Sequence, residues 1–197
     1  MKILIKLLLA VGVFMTTAGI LHAQNLKPAT INISYLGELA THPGLKVGLT
    51  YPVKSWEKSR INNKGKEKSI LTAFEISPSA GVFYHRDYQT GIFVLPEMGF
   101  SRQNGKGNYK AVGIGVGYMR TQVPHVYEIH ADGEIGKIHA GYNYFVTNYS
   151  LTFGKDLSIK RNIPVGIFIK PQVMYAVPNY NGGILYFALE AGLNYHL

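Results

Sequence analysis

The 197-residue sequence contains no cysteine, which excludes a disulfide framework, a thiolate metal site and a cysteine nucleophile. Charged residues make up only 16%, well below the usual quarter of a globular chain, and 11 of them are acidic. That scarcity argues against a helical bundle, a coiled coil or a disordered tail. Beyond residue 23 no apolar run reaches the roughly 18 residues of a helical span, so helical crossing of a membrane is excluded there. What the chain has in quantity is glycine (22) and tyrosine (14), beside 47% hydrophobic residues. The balance points to an all-β protein of one domain. The formal charge of +9 fits nucleic acid or anionic lipid equally well, and location has to decide between them.

Lys2 and Lys6 precede an apolar stretch at residues 7–15, then Thr16, Thr17 and Ala18, and then Leu21-His22-Ala23 before Gln24. This is the n-region, h-region and small-residue cleavage site of a secretory signal, with cleavage expected after Ala23. A spanning anchor needs about 20 apolar residues, and this run is interrupted by Gly12, Thr16, Thr17 and Gly19. Residues 1–23 therefore read as a signal peptide, 24–43 as an N-terminal segment with a candidate extra strand at 30–39, and 44–197 as the β-barrel domain. Loss of Lys2 and Lys6 takes the formal charge from +9 to +7, and export removes nucleic acid from the expected partners.

The mature chain alternates with period two. Near the C-terminus Leu185, Phe187, Leu189, Ala191, Leu193, Tyr195 and Leu197 form one face, and Tyr186, Glu190, Gly192, Asn194 and His196 belong to the other. The same rule runs through Ile163 to Val177, Ile70 to Tyr84, Ile92 to Phe100, Val112 to Tyr118 and Leu45 to Val53. Successive side chains of a strand point to opposite faces, so these segments read as strands. A water-facing surface would be rich in Lys, Glu, Thr and Arg, whereas the second face is mostly Gly, Ala and Ser with isolated charges. Small residues with sparse charge suit the narrow interior of a small barrel. Tyr51, Tyr84, Tyr118, Tyr175 and Tyr195 lie on the apolar face near strand ends, where a membrane barrel sets its aromatic girdles.

The expected fold is a closed antiparallel up-and-down transmembrane β-barrel of about eight strands, at 45–54, 69–85, 91–101, 109–122, 123–131, 134–154, 163–176 and 184–197. A competing count makes 30–39 the first strand and demotes 123–131 to a loop. Hairpins are predicted at Asn181-Gly182 and Asp132-Gly133, the latter setting Glu128 opposite Lys137, with a β-bulge near 141–145. The connections at 55–68, 102–108, 131–134 and 177–183 are expected to share one, extracellular, end.

With this architecture the chain, over roughly residues 44 to 197, resembles the small eight-stranded outer-membrane barrels of Gram-negative bacteria of the OmpA/OmpX type. Leu189, Ala191, Leu193, Tyr195 and Leu197 look like the terminal signal that the family's assembly machinery recognises, although Leu197 stands where the family usually ends in an aromatic residue. The resemblance implies an outer-membrane location and partnership with that machinery during insertion. It does not choose among envelope-stabilising proteins, adhesins, narrow pores and lipid-modifying enzymes.

Five charges are predicted to face the lumen: Lys46, Glu75, Glu97, Lys170 and Glu190. An eight-stranded barrel is just wide enough for side chains to fill, so a lumen sealed by charge pairs is expected, with Lys170 and Glu190 as the best pair. Lys54, Lys58, Arg60, Lys64, Lys66 and Lys68 outnumber Glu57 and Glu67 and form a basic loop suited to lipopolysaccharide phosphates or to plain solvation, with Trp56 anchoring its root. His125, Glu128, His130, Asp132 and His139 give no tight three-ligand cluster, and no metal or cofactor is expected. Lipid A deacylase barrels carry His and Ser two residues apart on one face, and no His here has a Ser two positions later. The leading expectation is a non-enzymatic outer-membrane barrel that stabilises the envelope or binds a surface ligand. An envelope-lipid-modifying barrel enzyme and a soluble periplasmic barrel holding an apolar ligand are the alternatives.

Overall fold

The computed structural model describes residues 30–38, 42–61, 67–85, 89–129, 135–179 and 182–197. Its elements are β1 (Thr30–Glu38), β2 (His42–Ile61), β3 (Glu67–Ser77), β4 (Ser79–His85), β5 (Gln89–Val94), β6 (Glu97–Asn104), β7 (Asn108–Ile129), β8 (Ile135–Asp156), a single helical turn α1 (Ser158–Arg161), β9 (Val165–Asn179) and β10 (Gly182–His196). All strand pairs are antiparallel, and β1 pairs with both β2 and β10, which closes the sheet into a ring.

The ten strands make eight staves, because two staves are broken by proline. Pro78 separates β3 from β4 and Pro96 separates β5 from β6. Proline has no N–H to give to a ladder. The two breaks sit side by side and are bridged by Leu95 N–H donating to Ser79 O (2.8 Å) and Ser79 N–H donating to Leu95 O (3.2 Å). The proline carbonyls stay in use, Pro78 O accepting from Leu49 N–H and Pro96 O from Val116 N–H. Each half-stave keeps its own neighbours: β2 pairs with β3 and β4, and β7 with β5 and β6.

The structure takes Thr30–Glu38 into the ring as its first strand, so the barrel begins well before residue 44. Residues 123–129 are the outer part of β7, not a strand of their own. Pro124 lies within this stretch, and the chain absorbs it in a register shift between Val123 and Val126 on β7. The bulge is therefore there and not at 141–145, where β8 holds continuous register with β7. The same extra residue moves the hairpin register by one, setting Glu128 opposite Gly136 and Tyr127 opposite Lys137. The loops are also redistributed. The β2–β3, β6–β7 and β8–β9 connections leave the end that holds Thr30 and His196, and the β7–β8 and β9–β10 connections leave the opposite end. Residues 1–29, the Asp132-Gly133 turn and Asn181 lie outside the described residues.

Alternation now has a spatial meaning. On β10 Leu193 is 54% exposed and Glu190 3%. Outward rows such as Val112, Ile114, Val116 and Tyr118 on β7 or Tyr149, Leu151 and Phe153 on β8 form a continuous apolar belt. On β7 that belt is bracketed by exposed Lys110 and Arg120. At about 3.4 Å per residue and a tilt of about 40° the interval is about 26 Å tall, the height of a bilayer's apolar band. Tyr84, Tyr118 and Tyr175 lie toward one rim, Tyr51 and Tyr195 toward the other, and Tyr118 Oη donates to Asn143 Oδ1 at 2.6 Å at the belt's edge.

Leu193→Arg places a charge on the belt, and it is expected to destabilise the folded barrel by about 2–4 kcal/mol. Asn194→Arg faces the lumen and acts through crowding against Tyr109, to which Asn194 is bonded. Urea titration of the two variants in lipid vesicles checks the difference; equal behaviour with no loss at Leu193 would contradict the belt.

Candidate functional site

The inward face brings together Lys46 of β2, Glu97 of β6, Lys170 of β9 and Glu190 of β10. Lys46 Nζ lies between Glu190 Oε2 at 3.1 Å and Glu97 Oε2 at 3.3 Å, and Lys170 Nζ reaches Glu97 Oε2 at 2.6 Å. The charges alternate along one chain: Lys170, Glu97, Lys46, Glu190. The remaining carboxylate oxygens are also used. Glu97 Oε1 accepts from Asn148 Nδ2 (2.8 Å) and Ser150 Oγ (2.9 Å), and Glu190 Oε1 from Ser34 Oγ (2.6 Å). Lys46, Glu97 and Glu190 are buried and the set is formally neutral, the condition under which buried charge is tolerated. Six of the eight staves contribute, so the network ties the walls together across the lumen.

Lys170 and Glu190 are direct cross-strand partners, as the sequence suggests. Their strongest contacts nevertheless go elsewhere, Lys170 to Glu97 and Glu190 to Lys46, because a lysine stem spans so narrow a lumen and Glu97 offers a site already oriented by Asn148 and Ser150. β7 makes room for that carboxylate with glycine: a Cβ on Gly115 would come within 2.7 Å of Glu97 Cγ, and one on Gly113 within 2.8 Å of Ser150 Oγ.

Away from the chain termini the lumen is filled by an apolar cluster that includes Leu36, Phe83, Phe93, Leu95, Met119, Met174 and Tyr186. The Phe83 ring lies 5.9 Å from Tyr186 and 6.4 Å from Phe93. Toward the termini lies a polar vestibule of about 180 Å³. Its lining includes Glu75, which accepts from Ser101 Oγ, and Tyr109, which accepts from Asn194 Nδ2 at 2.5 Å. Asp156 there is held by Gln103 Nε2 (2.9 Å) and by Ser158 Oγ (2.6 Å). The four-charge chain lines the same vestibule, and Glu75, bonded to Ser101, is not part of that chain.

Of the terminal row, Leu189, Ala191, Leu193 and Tyr195 face outward on β10, and Leu197 follows it. Of the basic loop, Lys54, Lys58 and Lys68 are exposed on the β2–β3 hairpin and Arg60 lies on β2, whereas Lys64 and Lys66 fall outside the described residues. Among the His/acid group, His130 and Asp132 fall outside them, and of His125, Glu128 and His139 only strand positions are described. Among the described residues no three His, Asp or Glu side chains could hold a metal ion. The sequence reading missed Ser34, Asn148 and Ser150, although the phase of β1 and β8 already put them inward. It also missed the apolar cluster, since Phe83, Phe93, Met119 and Tyr186 interrupt a face otherwise small and polar.

A ring without edges, an apolar outer belt and an interior filled by side chains decide the architecture. The fold is that of a small outer-membrane β-barrel. No family model matches the chain, and no curated protein matches it by sequence. Among solved structures it is similar to the N-terminal β-barrel domain of Pseudomonas aeruginosa OprF, at 11% identity and TM-score 0.44 over 87% of this chain and 100% of that one. The Yersinia pestis attachment invasion locus protein Ail gives 10% identity and TM-score 0.34 over 87% and 99%. The β domain of the Bordetella autotransporter BrkA gives 14% and 0.37 over 85% and 68%.

Glu97→Gln leaves Lys46 and Lys170 short of one carboxylate and is expected to cost about 3–5 kcal/mol. Glu57→Gln, on an exposed hairpin, should cost under about 1 kcal/mol. The temperature at which each variant loses its compact gel mobility checks this ordering.

Proposed function

We propose that the protein is a non-enzymatic outer-membrane β-barrel with a sealed lumen, serving the envelope structurally or binding a ligand at its surface. The observation that carries this reading is the double closure of the interior, a neutral four-charge chain stacked against an apolar cluster. A hydrated path would require the first to open and the second to be wetted. The outward belt argues against the soluble alternative, whose outer surface would have to be polar. Against the enzymatic alternative, the hydroxyl–imidazole contact at the terminus end is loose: Thr30 Oγ1 lies 3.5 Å from His196 Nδ1, with Asp156 Oδ1 3.3 Å from Nε2, beyond the roughly 2.6–3.2 Å at which a base activates a nucleophile. In this reading the partners are outer-membrane lipid, lipopolysaccharide in the outer leaflet, and the assembly machinery that receives the terminal strand.

The protein is expected in detergent-extracted outer membranes, with different gel mobility before and after boiling. In planar bilayers it should give no stable sugar-permeable channels. Recovery in the soluble periplasm would refute the membrane assignment, and steady conductance would refute the sealed lumen.

A further inference from the structure

The outer surface of β6, β7 and β8 carries basic residues at a defined height. Arg102 of β6 lies directly opposite Lys110 of β7, and Lys110 lies opposite Phe153 of β8, over whose ring its Nζ sits at 5.6 Å from the centroid. Lys155 follows two residues beyond Phe153 on the same outward face. All three cations are exposed, and none forms an ion pair among the described residues. Like charges directly opposite on a sheet destabilise it unless an anion lies between them. Three acids of this end are engaged elsewhere: Glu57 with Ser69, Glu75 with Ser101, and Asp156 with Gln103 and Ser158.

The next outward row is Phe100, Val112 and Leu151, which belongs to the apolar belt. Two residues of strand are about 7 Å, so Arg102 and Lys110 sit just outside the hydrocarbon, at the level of lipid phosphates. From Leu151 upward the surface is grooved. Val173 of β9 is flanked across the strands by Tyr149 and Phe187, and Pro171 lies opposite Leu189; these residues wall and floor a largely apolar groove of about 830 Å³. Leu151 is both a wall of that groove and only four residues from Lys155.

We propose that this flank is a binding site for an anionic glycerophospholipid, its phosphate held by Arg102, Lys110 and Lys155 and an acyl chain lying in the groove over Pro171 and Val173. The assignment rests on the membrane-barrel reading above. It commits to glycerophospholipid because the cations are at the end holding Thr30 and His196. A chain exported into the periplasm and inserted as hairpins leaves both ring ends on the periplasmic side, where the leaflet is built of glycerophospholipid.

The test is native mass spectrometry of the full mature barrel, extracted from vesicles of equimolar phosphatidylethanolamine and phosphatidylglycerol, with lipid retained per barrel as the readout. The wild-type barrel should retain phosphatidylglycerol in preference, and added salt should erase the preference without any mutation. Arg102→Gln, Lys110→Gln and Lys155→Gln should each lower it by about fivefold, whereas Lys58→Gln on the hairpin should not. Val173→Phe should reduce retention of both lipids. Equal retention of the two lipids by the wild type would overturn the proposal. So would a salt-insensitive preference, a preference for lipopolysaccharide in a mixed vesicle, or a second copy of the chain in place of lipid. Boiling-dependent gel mobility of the same samples reports separately whether the membrane barrel has formed, so failure of the underlying reading is seen independently.

Discussion

Inside a bilayer no water is available to a backbone N–H or C=O, so each one must find its partner within the protein, at several kcal/mol for every failure. A sheet meets that demand only if it has no edge. Here the requirement falls on the pairing of β1 with β10, where nine residues of each strand run in unbroken register from Thr30↔His196 to Glu38↔Ala188. Without that seam the apolar belt would be carried by an open sheet with two unpaired edges. Proline is tolerated on the same terms. Pro78 and Pro96 are placed side by side, so that Ser79 and Leu95 exchange hydrogen bonds across the break and neither opens the wall.

Closure at this girth dictates the interior. Eight staves enclose a space that side chains fill, and any charge pointing inward is withdrawn from bulk water. Two lysines and two glutamates meet that condition by alternating, with every carboxylate oxygen engaged by an ammonium, an amide or a hydroxyl. The glycines of β7 are part of the same solution, because a methyl group at residue 115 would occupy the space of the Glu97 side chain. Beyond the charges the lumen can be apolar, since Phe83, Phe93, Met119 and Tyr186 have no water to face and pack on one another.

The two ends of the barrel are chemically unlike. The terminus end combines a polar vestibule, the basic β2–β3 hairpin and the outward cations of β6, β7 and β8. The far end is closed by the apolar cluster and carries the outward tyrosines Tyr84, Tyr118 and Tyr175. A membrane whose leaflets differ in composition gives such a polarity something to match.

The period-two alternation of apolar and small residues was enough, in sequence alone, to determine an all-β barrel, its outward rows on β4 through β10, and the inward direction of Lys46, Glu75, Glu97, Lys170 and Glu190. Each of these follows from the local rule that successive strand side chains point to opposite faces. Strand membership was less legible. Thr30–Glu38 is short and its inward positions mix polar Asn32 and Ser34 with apolar Leu36, so only its pairing partners distinguish it from a leader segment, and Pro124 resembles a turn until the register on both sides is known. Which inward charge meets which, and that Asn148, Ser150 and Ser34 complete their coordination, depends on stagger around a closed ring. Stagger joins residues 156 positions apart, as with Ser34 and Glu190, and leaves no mark on the local pattern of either strand. The distribution of loops between the two ends was decided in the same way, because adding one strand at the start and merging two later reverses the direction of every stave between them.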